Sequence, residues 1–321
     1  MTKRLKIIFA LAALLLAVFV LDGIDLPEQT RVWREFTNAG HALLFGVVAI
    51  AMLLLARVLV RRNGEPIRHY LIAFVGATVL GLLTELGQII GPRDASLMDF
   101  VNDVIGALAF LGVAATFDRS FGDQSWLRLP FKRSAIRLAF TALFLTAYIP
   151  FVILALAHLH RRAQFPVIMD FESYLDWQFV GWKEAKFDIV TTPPAWSGNT
   201  SRRVGSLLLL PARSSNFDIE YPYPRWRGYQ SFSFEIFSAA DSVYEIGFRI
   251  DDSRHNLEDW DRYGRRLTIM PGLNRYVIPL ADVENAPAGR KMDMESIANI
   301  ILFSSQLRQP LQLYLDNLRL E

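Results

Sequence analysis

Six side chains able to move protons, hold an anion or hydrogen-bond a ligand fall in one stretch of an otherwise apolar sequence: His41, Glu85, Gln88, Arg93, Asp99 and Asn102. His41 and Glu85 are of the types that serve as general acid and base, and Arg93 suits a phosphate. Glu85 and Gln88 are three residues apart and so share one face of a helix. No recognised catalytic signature accompanies them. The chain has no Gly-x-Ser-x-Gly, no phosphate-binding glycine loop and no His-Glu-x-x-His. It has no cysteine, which excludes disulfides, thiolate metal sites and a cysteine nucleophile.

Apolar runs must position these residues. Of the 321 residues 52% are hydrophobic and 21% charged, and the mean hydropathy is +0.24. That is too apolar for a disordered chain, and a net charge of +2 lacks the basic excess of a nucleic-acid binder. Runs near 4–21, 39–60, 69–90, 99–117 and 135–158 each approach the ~20 residues that cross a bilayer core. The first follows Lys3, Arg4 and Lys6 without a small-x-small cleavage site, so it reads as a retained anchor. Pro92-Arg93-Asp94 turns the third span into the fourth.

Five spans place the chain ends on opposite sides. Twelve basic residues flank one side (Lys3, Arg4, Lys6, Arg57, Arg61, Arg62, Arg68, Arg119, Arg128, Lys132, Arg133, Arg137) and five the other (Arg31, Arg34, Arg93, Arg161, Arg162). The N-terminus is therefore expected in the cytoplasm and everything beyond about residue 160 outside it. On this topology His41 opens the second span at its outer end. The six polar residues then converge in an outward-facing pocket, where ionisable groups are functional candidates by default.

Each also has a structural use. Ser96 can cap the fourth span with Asp99 three residues on, and Asp99 and Asp103 suit the positive end of a helix. His41 can be a simple interfacial side chain. Gln88 and Asn102 can bond across helices, and Ala73, Ala77 and Gly81 form a stripe for close packing.

The segments AGHALLFGVVAIAMLLL and TELGQIIGPRDASLMDFVNDVIGALAFLG resemble the VanZ-like membrane family over about residues 31–117. The shared pattern is a His opening one span, Glu-x-x-Gln, a loop Arg and Asp-x-x-Asn-x-x-x-Gly, here His41, Glu85, Gln88, Arg93, Asp99, Asn102 and Gly106. The resemblance implies a protein of the bacterial inner membrane that faces the envelope, and it supplies no reaction.

After Pro166 the pattern changes to short alternating runs at 167–172, 186–190, 204–210, 216–220, 231–238, 243–250, 265–270, 275–280, 298–304 and 311–320. About ten strands with Gly, Pro, Asn and Asp between them predict a β-sandwich, most simply a jelly roll. The fold class is thus a five-helix membrane bundle (1–160) followed by an all-β domain (161–321), joined by a short linker at 159–166. The stretches MDFES, GYQSFSFEIFS, PGLNRYVIPL and YLDNLRL resemble galactose-binding-like jelly rolls among carbohydrate-binding modules. That resemblance implies a structural calcium between first- and last-strand acids, at Glu172 and Asp316. The aromatics Trp177, Trp182, Trp196, Trp226, Tyr229 and Trp260 are of the type that meets a sugar face. The polar loop DDSRHNLEDWDRY around Trp260 and His255 is the best loop-borne site for glycan contact.

The leading expectation is an envelope membrane protein whose outer domain and polar pocket bind membrane lipid, a glycan or a lipid-linked glycan. The rivals are a membrane enzyme acting through His41, Glu85, Arg93 and Asp99, and a transporter or flippase. Protease added to spheroplasts should remove the C-terminal half and spare the spans. Protection of that half until the membrane is breached would reverse the orientation.

Overall fold

The structure, a computed structural model, describes residues 31–60, 66–90, 96–121 and 130–321, and Ile7. The expected first span, apart from Ile7, and the loop residues Arg93 and Asp94 lie outside the described residues. The chain divides into two compact units, one ending at Ile153 and the other Leu154–Glu321.

The first unit packs α1 (Arg31–Leu59), α2 (Ile67–Ile90), α3 (Leu97–Phe117) and α4 (Pro130–Thr146). Helix α5 (Ile149–Gln164) begins in it and runs on into the second unit. Helices α1 to α3 are each long and apolar enough to cross a membrane, and α4 with α5 make a fourth crossing if that bent pair is one span. The sequence run at 135–158 reads as one continuous helix, yet the pair bends by 56°. Pro150 explains the break. It has no N–H to give the carbonyl of Thr146, and its ring crowds that carbonyl. The predicted linker at 159–166 is likewise helical to Gln164.

Small residues decide how closely the helices approach. Ala39, Ala42, Gly46, Ala49, Leu53 and Ala56 form the buried stripe of α1. On α2, Ala73 and Ala77 are fully buried, and Gly81 lies against Phe45. A Cβ on Gly106 of α3 would fall 1.9 Å from the Ala42 carbonyl oxygen, so the two backbones touch there. At the far end of the unit Asp118 accepts a hydrogen bond from Tyr70 Oη (3.0 Å) and pairs with Arg57.

The second unit is a sandwich of two antiparallel sheets. One has the order β3 (Ala185–Thr191), β4 (Arg203–Leu209), β11 (Leu311–Leu320), β6 (Ser231–Ser238), β9 (Gly272–Pro279), with β1 (Val167–Met169) also on β11. The other runs β2 (Val180–Lys183), β5 (Ser214–Glu220), β10 (Ile297–Ser305), β7 (Tyr244–Asp252), β8 (Tyr263–Ile269). Period-two alternation puts Phe217, Phe232, Phe234, Phe248 and Ile300 inside, and Trp226 closes one end, stacked on Phe232. The first predicted strand stops at Met169 because Phe171 has a positive φ of 58°. Its N–H is taken by Asp176 Oδ2 at 3.1 Å instead of a ladder. The four-residue β2 is an edge strand too short to show an alternation.

Within the second unit the end of α5 is seated by Arg161, which is 3% exposed. Its guanidinium lies 3.3 Å from the Phe179 ring centroid and donates to the carbonyl of Tyr221.

Gly106→Val should disrupt the α1–α3 contact and lower detergent-solubilised thermal stability by at least ~1–3 kcal/mol, the usual cost of overpacking. Gly40→Ala, where a Cβ meets nothing within 4 Å, should be neutral or add up to ~1 kcal/mol of helix propensity. Equal melting of Gly106→Val and wild type would refute the contact.

Candidate functional site

Chain direction brings the chemistry of the helical unit together. His41 is ten residues into α1, Glu85 five from the end of α2 and Asp103 six into α3, all at the same end of three alternating helices. His41 Nδ1 lies 3.1 Å from Asp103 Oδ1. Glu85 Oε2 accepts the N–H of Ser96 at 2.8 Å, and Ser96 Oγ accepts the N–H of Asp99 at 3.3 Å. Glu85 thereby completes the cap of α3. One ligating atom each of His41, Glu85 and Asp103 lies within 4.8 Å of the others. Glu85 and Asp103 are 6% and 1% exposed. Among the described residues Glu85 Oε1, Asp99 Oδ1 and Asp103 Oδ2 are buried without a hydrogen-bond partner.

Of the six predicted pocket residues, His41 and Glu85 meet in this cluster. Asn102 instead donates to the carbonyl of Asn38 on α1 at 3.0 Å, the interhelical role. Gln88 is buried, and Arg93 lies outside the described residues. His41 does not open its helix, which extends back to Arg31. Asp103, the partner of His41, was not among the six. Its signal was present, since 99, 102, 103 and 106 follow the spacing of one buried helix face.

In the sandwich Asp316 is fully buried. Its Oδ2 accepts from Asn199 Nδ2 and its Oδ1 from the N–H of Asn317, both at 2.8 Å. Burial pushes this carboxyl up, and the hydrogen bonds offset part of the rise. Glu172 Oε1 accepts the N–H groups of Arg202 (2.5 Å) and Arg203 (3.2 Å). Both acids therefore pin the segment that follows Trp196, itself buried against Phe237. A calcium ion at either acid would compete with those N–H donors.

The loop of Trp260 and His255 is held from beneath by Arg290, which grips Asp252 (2.6 and 2.8 Å) and Asp261 (2.5 Å). His255 is turned inward, its Nδ1 2.9 Å from the Asp261 carbonyl. Trp260 is 52% exposed. Burial pushes the Asp252 carboxyl up, but the bonds from Arg290 and the Asp293 N–H outweigh it and hold the group below its ordinary value. Arg290 is the main reason the Asp261 carboxyl is also held low.

The outward face of the five-stranded sheet carries a site that sequence reasoning missed. Strand pairing places Asn216, Phe303 and Gly247 in one row, Asp218, Ile301 and Arg249 in the next, and Glu220, Asn299 and Asp251 in a third. Phe303 rests on Gly247, where a Cβ would come within 2.2 Å of its ring. Arg249 binds Asp251 Oδ2 through Nη2 (2.6 Å) and Nε (2.9 Å), and Asp251 Oδ1 is buried without a partner among the described residues. Burial, then Glu220, pushes the Asp218 carboxyl up to about 6. An aromatic in a glycine seat, ringed by carboxylates, amides and a guanidinium, can pack on a ligand's C–H surface and bond its hydroxyls.

No family model and no curated protein matches the chain, so the VanZ-like resemblance of 31–117 rests on its motif residues. Solved structures do match the C-terminal half, which is similar to carbohydrate-binding-module sandwiches. One is a family 11 carbohydrate-binding module from Clostridium thermocellum in complex with a β-1,3-1,4-mixed-linked tetrasaccharide. It is 17% identical, with 48% of this chain and 93% of that one covered and a TM-score of 0.37. A family 30 module of a cellulosomal cellulase of the same organism is 13% identical over 44% of this chain and 90% of its own, with a TM-score of 0.34. An exo-β-agarase is 17% identical over 48% of this chain and 24% of its own, with a TM-score of 0.40.

The carboxylates set a stability optimum in pH. Burial, then Asp170, raises Asp176 to about 7, and Asp218 stands at about 6, against 3.8 for a free carboxyl. Their protonation supports the fold fully below the ordinary value, and that support is lost as pH rises through about 6 to 7. Asp252 and Asp261, held low, support the fold above the ordinary value and lose that support as pH falls below it. Sandwich melting, followed by near-ultraviolet circular dichroism, should therefore be highest near pH 4 and fall between about pH 4 and 7. Asp176→Asn should flatten the decline across that range. An unchanged decline would show that Asp176 is not its source.

Proposed function

We propose that the protein is a VanZ-like component of a bacterial inner membrane, N-terminus inside, whose extracytoplasmic sandwich binds an envelope glycan. The observation that carries this reading is the outward face of the five-stranded sheet, with Phe303 on Gly247 beside Asp218, Arg249 and Asp251. Sugars present C–H patches and vicinal hydroxyls together, and this face offers the complement of both. Trp260, on its braced loop, is a second contact for a long chain. Membrane helices would hold the binder at the surface where such polymers lie, raising its effective concentration there.

The second reading is a membrane enzyme on a lipid-linked glycan, and the bond between His41 and Asp103 supports it. A carboxylate that orients an imidazole leaves the other ring nitrogen for proton transfer.

Binding of the detergent-solubilised chain to mixed-linked β-glucan and to peptidoglycan fragments tests the first reading. Phe303→Ala and Asp218→Asn should each weaken binding at least tenfold without unfolding the domain, while Trp260→Ala should weaken it less. A protein that binds no glycan, or that binds unchanged in both face variants, would remove the assignment. Turnover of a lipid-linked glycan that is lost in His41→Gln would favour the second reading.

A further inference from the structure

The geometry points to a site for a zinc-class divalent cation held by His41, Glu85 and Asp103 inside the helical unit. This inference is independent of glycan binding by the sandwich. Three observations support it. The donor set is one imidazole nitrogen and two carboxylate oxygens on three different helices, all within 4.8 Å of one another. Tetrahedral zinc with these ligands spaces its donors about 3.3–3.5 Å apart, so small side-chain rotations close the shell. Next, Glu85 and Asp103 are each more than nine-tenths buried, and each carries a buried oxygen with no partner among the described residues. A buried carboxylate oxygen left unpaired is costly, and a cation satisfies it directly. Finally, space is left beside it. Gly81 faces the cluster without a side chain, and a Cβ there would stand 2.8 Å from Asp103 Oδ2.

The ligand set also limits the ion. Nitrogen with carboxylate oxygen and no sulfur favours zinc or manganese over copper(I), and the single histidine disfavours calcium and magnesium, which take oxygen shells. Three protein ligands leave a fourth position open, the arrangement of a site where a metal meets water or a ligand. The frame is rigid, because α1 and α3 touch at Gly106 next to two of the three ligands, and a preorganised frame favours a metal over a flexible alternative.

The test uses the full chain in detergent, stripped with a chelator and reloaded with Zn2+ or Co2+. One equivalent should bind, Co2+ should give a visible ligand-field band, and X-ray absorption of the zinc form should show one imidazole with oxygens. Glu85→Gln keeps an acceptor for the Ser96 N–H, and Asp103→Asn keeps an acceptor for His41, so both should fold. Each should weaken metal binding by at least ~100-fold, while Asp118→Asn at the other end of the unit should not change it. No bound metal, an all-oxygen shell, or equal binding by wild type, Glu85→Gln and Asp103→Asn would overturn the assignment. If a variant fails to fold, stoichiometry and absorption spectra of the wild-type chain still decide it.

Discussion

The helical unit depends on the contact between Gly106 and the Ala42 carbonyl. Helices ordinarily pack with their axes ~8–10 Å apart, and here the absence of a side chain at 106 brings one backbone against another. His41 is the neighbour of Ala42, and Asp103 stands one turn before Gly106. The 3.1 Å separation of His41 and Asp103 is therefore made possible by helix spacing. Gly81 does the same from α2, clearing room for Asp103 and Phe45. Small residues are as much part of this site as the groups that would do its chemistry.

Acids that brace loops are handled differently from those between the helices. In the sandwich Asp252 and Asp261 share one guanidinium, whose fork suits two carboxylates at once. Asp316 accepts from Asn199 and Asn317, and Asp176 from the N–H of Phe171. Such groups tie loops to strands, and they account for the order of an irregular segment such as 252–262. In the helical unit Glu85 uses one oxygen to cap α3, and Asp103 uses one on His41. Their remaining oxygens have no hydrogen-bond partner among the described residues, at a cost of ~1–3 kcal/mol for each unsatisfied group. The same chain satisfies the acids that brace its loops and, among the described residues, leaves one oxygen each of Glu85, Asp103 and the sheet-face Asp251 without a partner.

The sequence carried the periodic features well. Apolar runs located α1 to α3, alternation located most strands, and the polar exceptions in the membrane half included His41 and Glu85. What escaped it depended on single residues or on pairing between distant strands. Pro150 breaks a run whose hydropathy is continuous. Asp103 looked like a helix-dipole partner because only the packing of α1 shows which acid faces His41. The sheet face of Phe303 is assembled from β5, β7 and β10, whose order in the sheet is not their order in the chain. Asn216, Asp218, Arg249 and Phe303 are each ordinary outward residues in an alternating strand, and only register makes them neighbours. Glu172 and Asp316 read as strand-end acids, yet Asp316 is buried within β11 and Glu172 lies beyond β1, and the donors that hold them come from residues 199–203 and 317.

These origins give the two sites different tolerances. The sheet face projects from a core that other side chains fill, with Ile300 and Leu302 turned inward on the strand that carries Phe303. Its outward residues can therefore vary while the sandwich stays folded. The helical cluster has no such freedom. Glu85 caps a helix, Asp103 lies against the bare backbone of Gly81, and His41 adjoins the tightest contact in the unit. A change in any of them alters packing along with chemistry. A reaction or ion at that point would be fixed by the helix frame, and variation in what the protein recognises would fall to the sandwich.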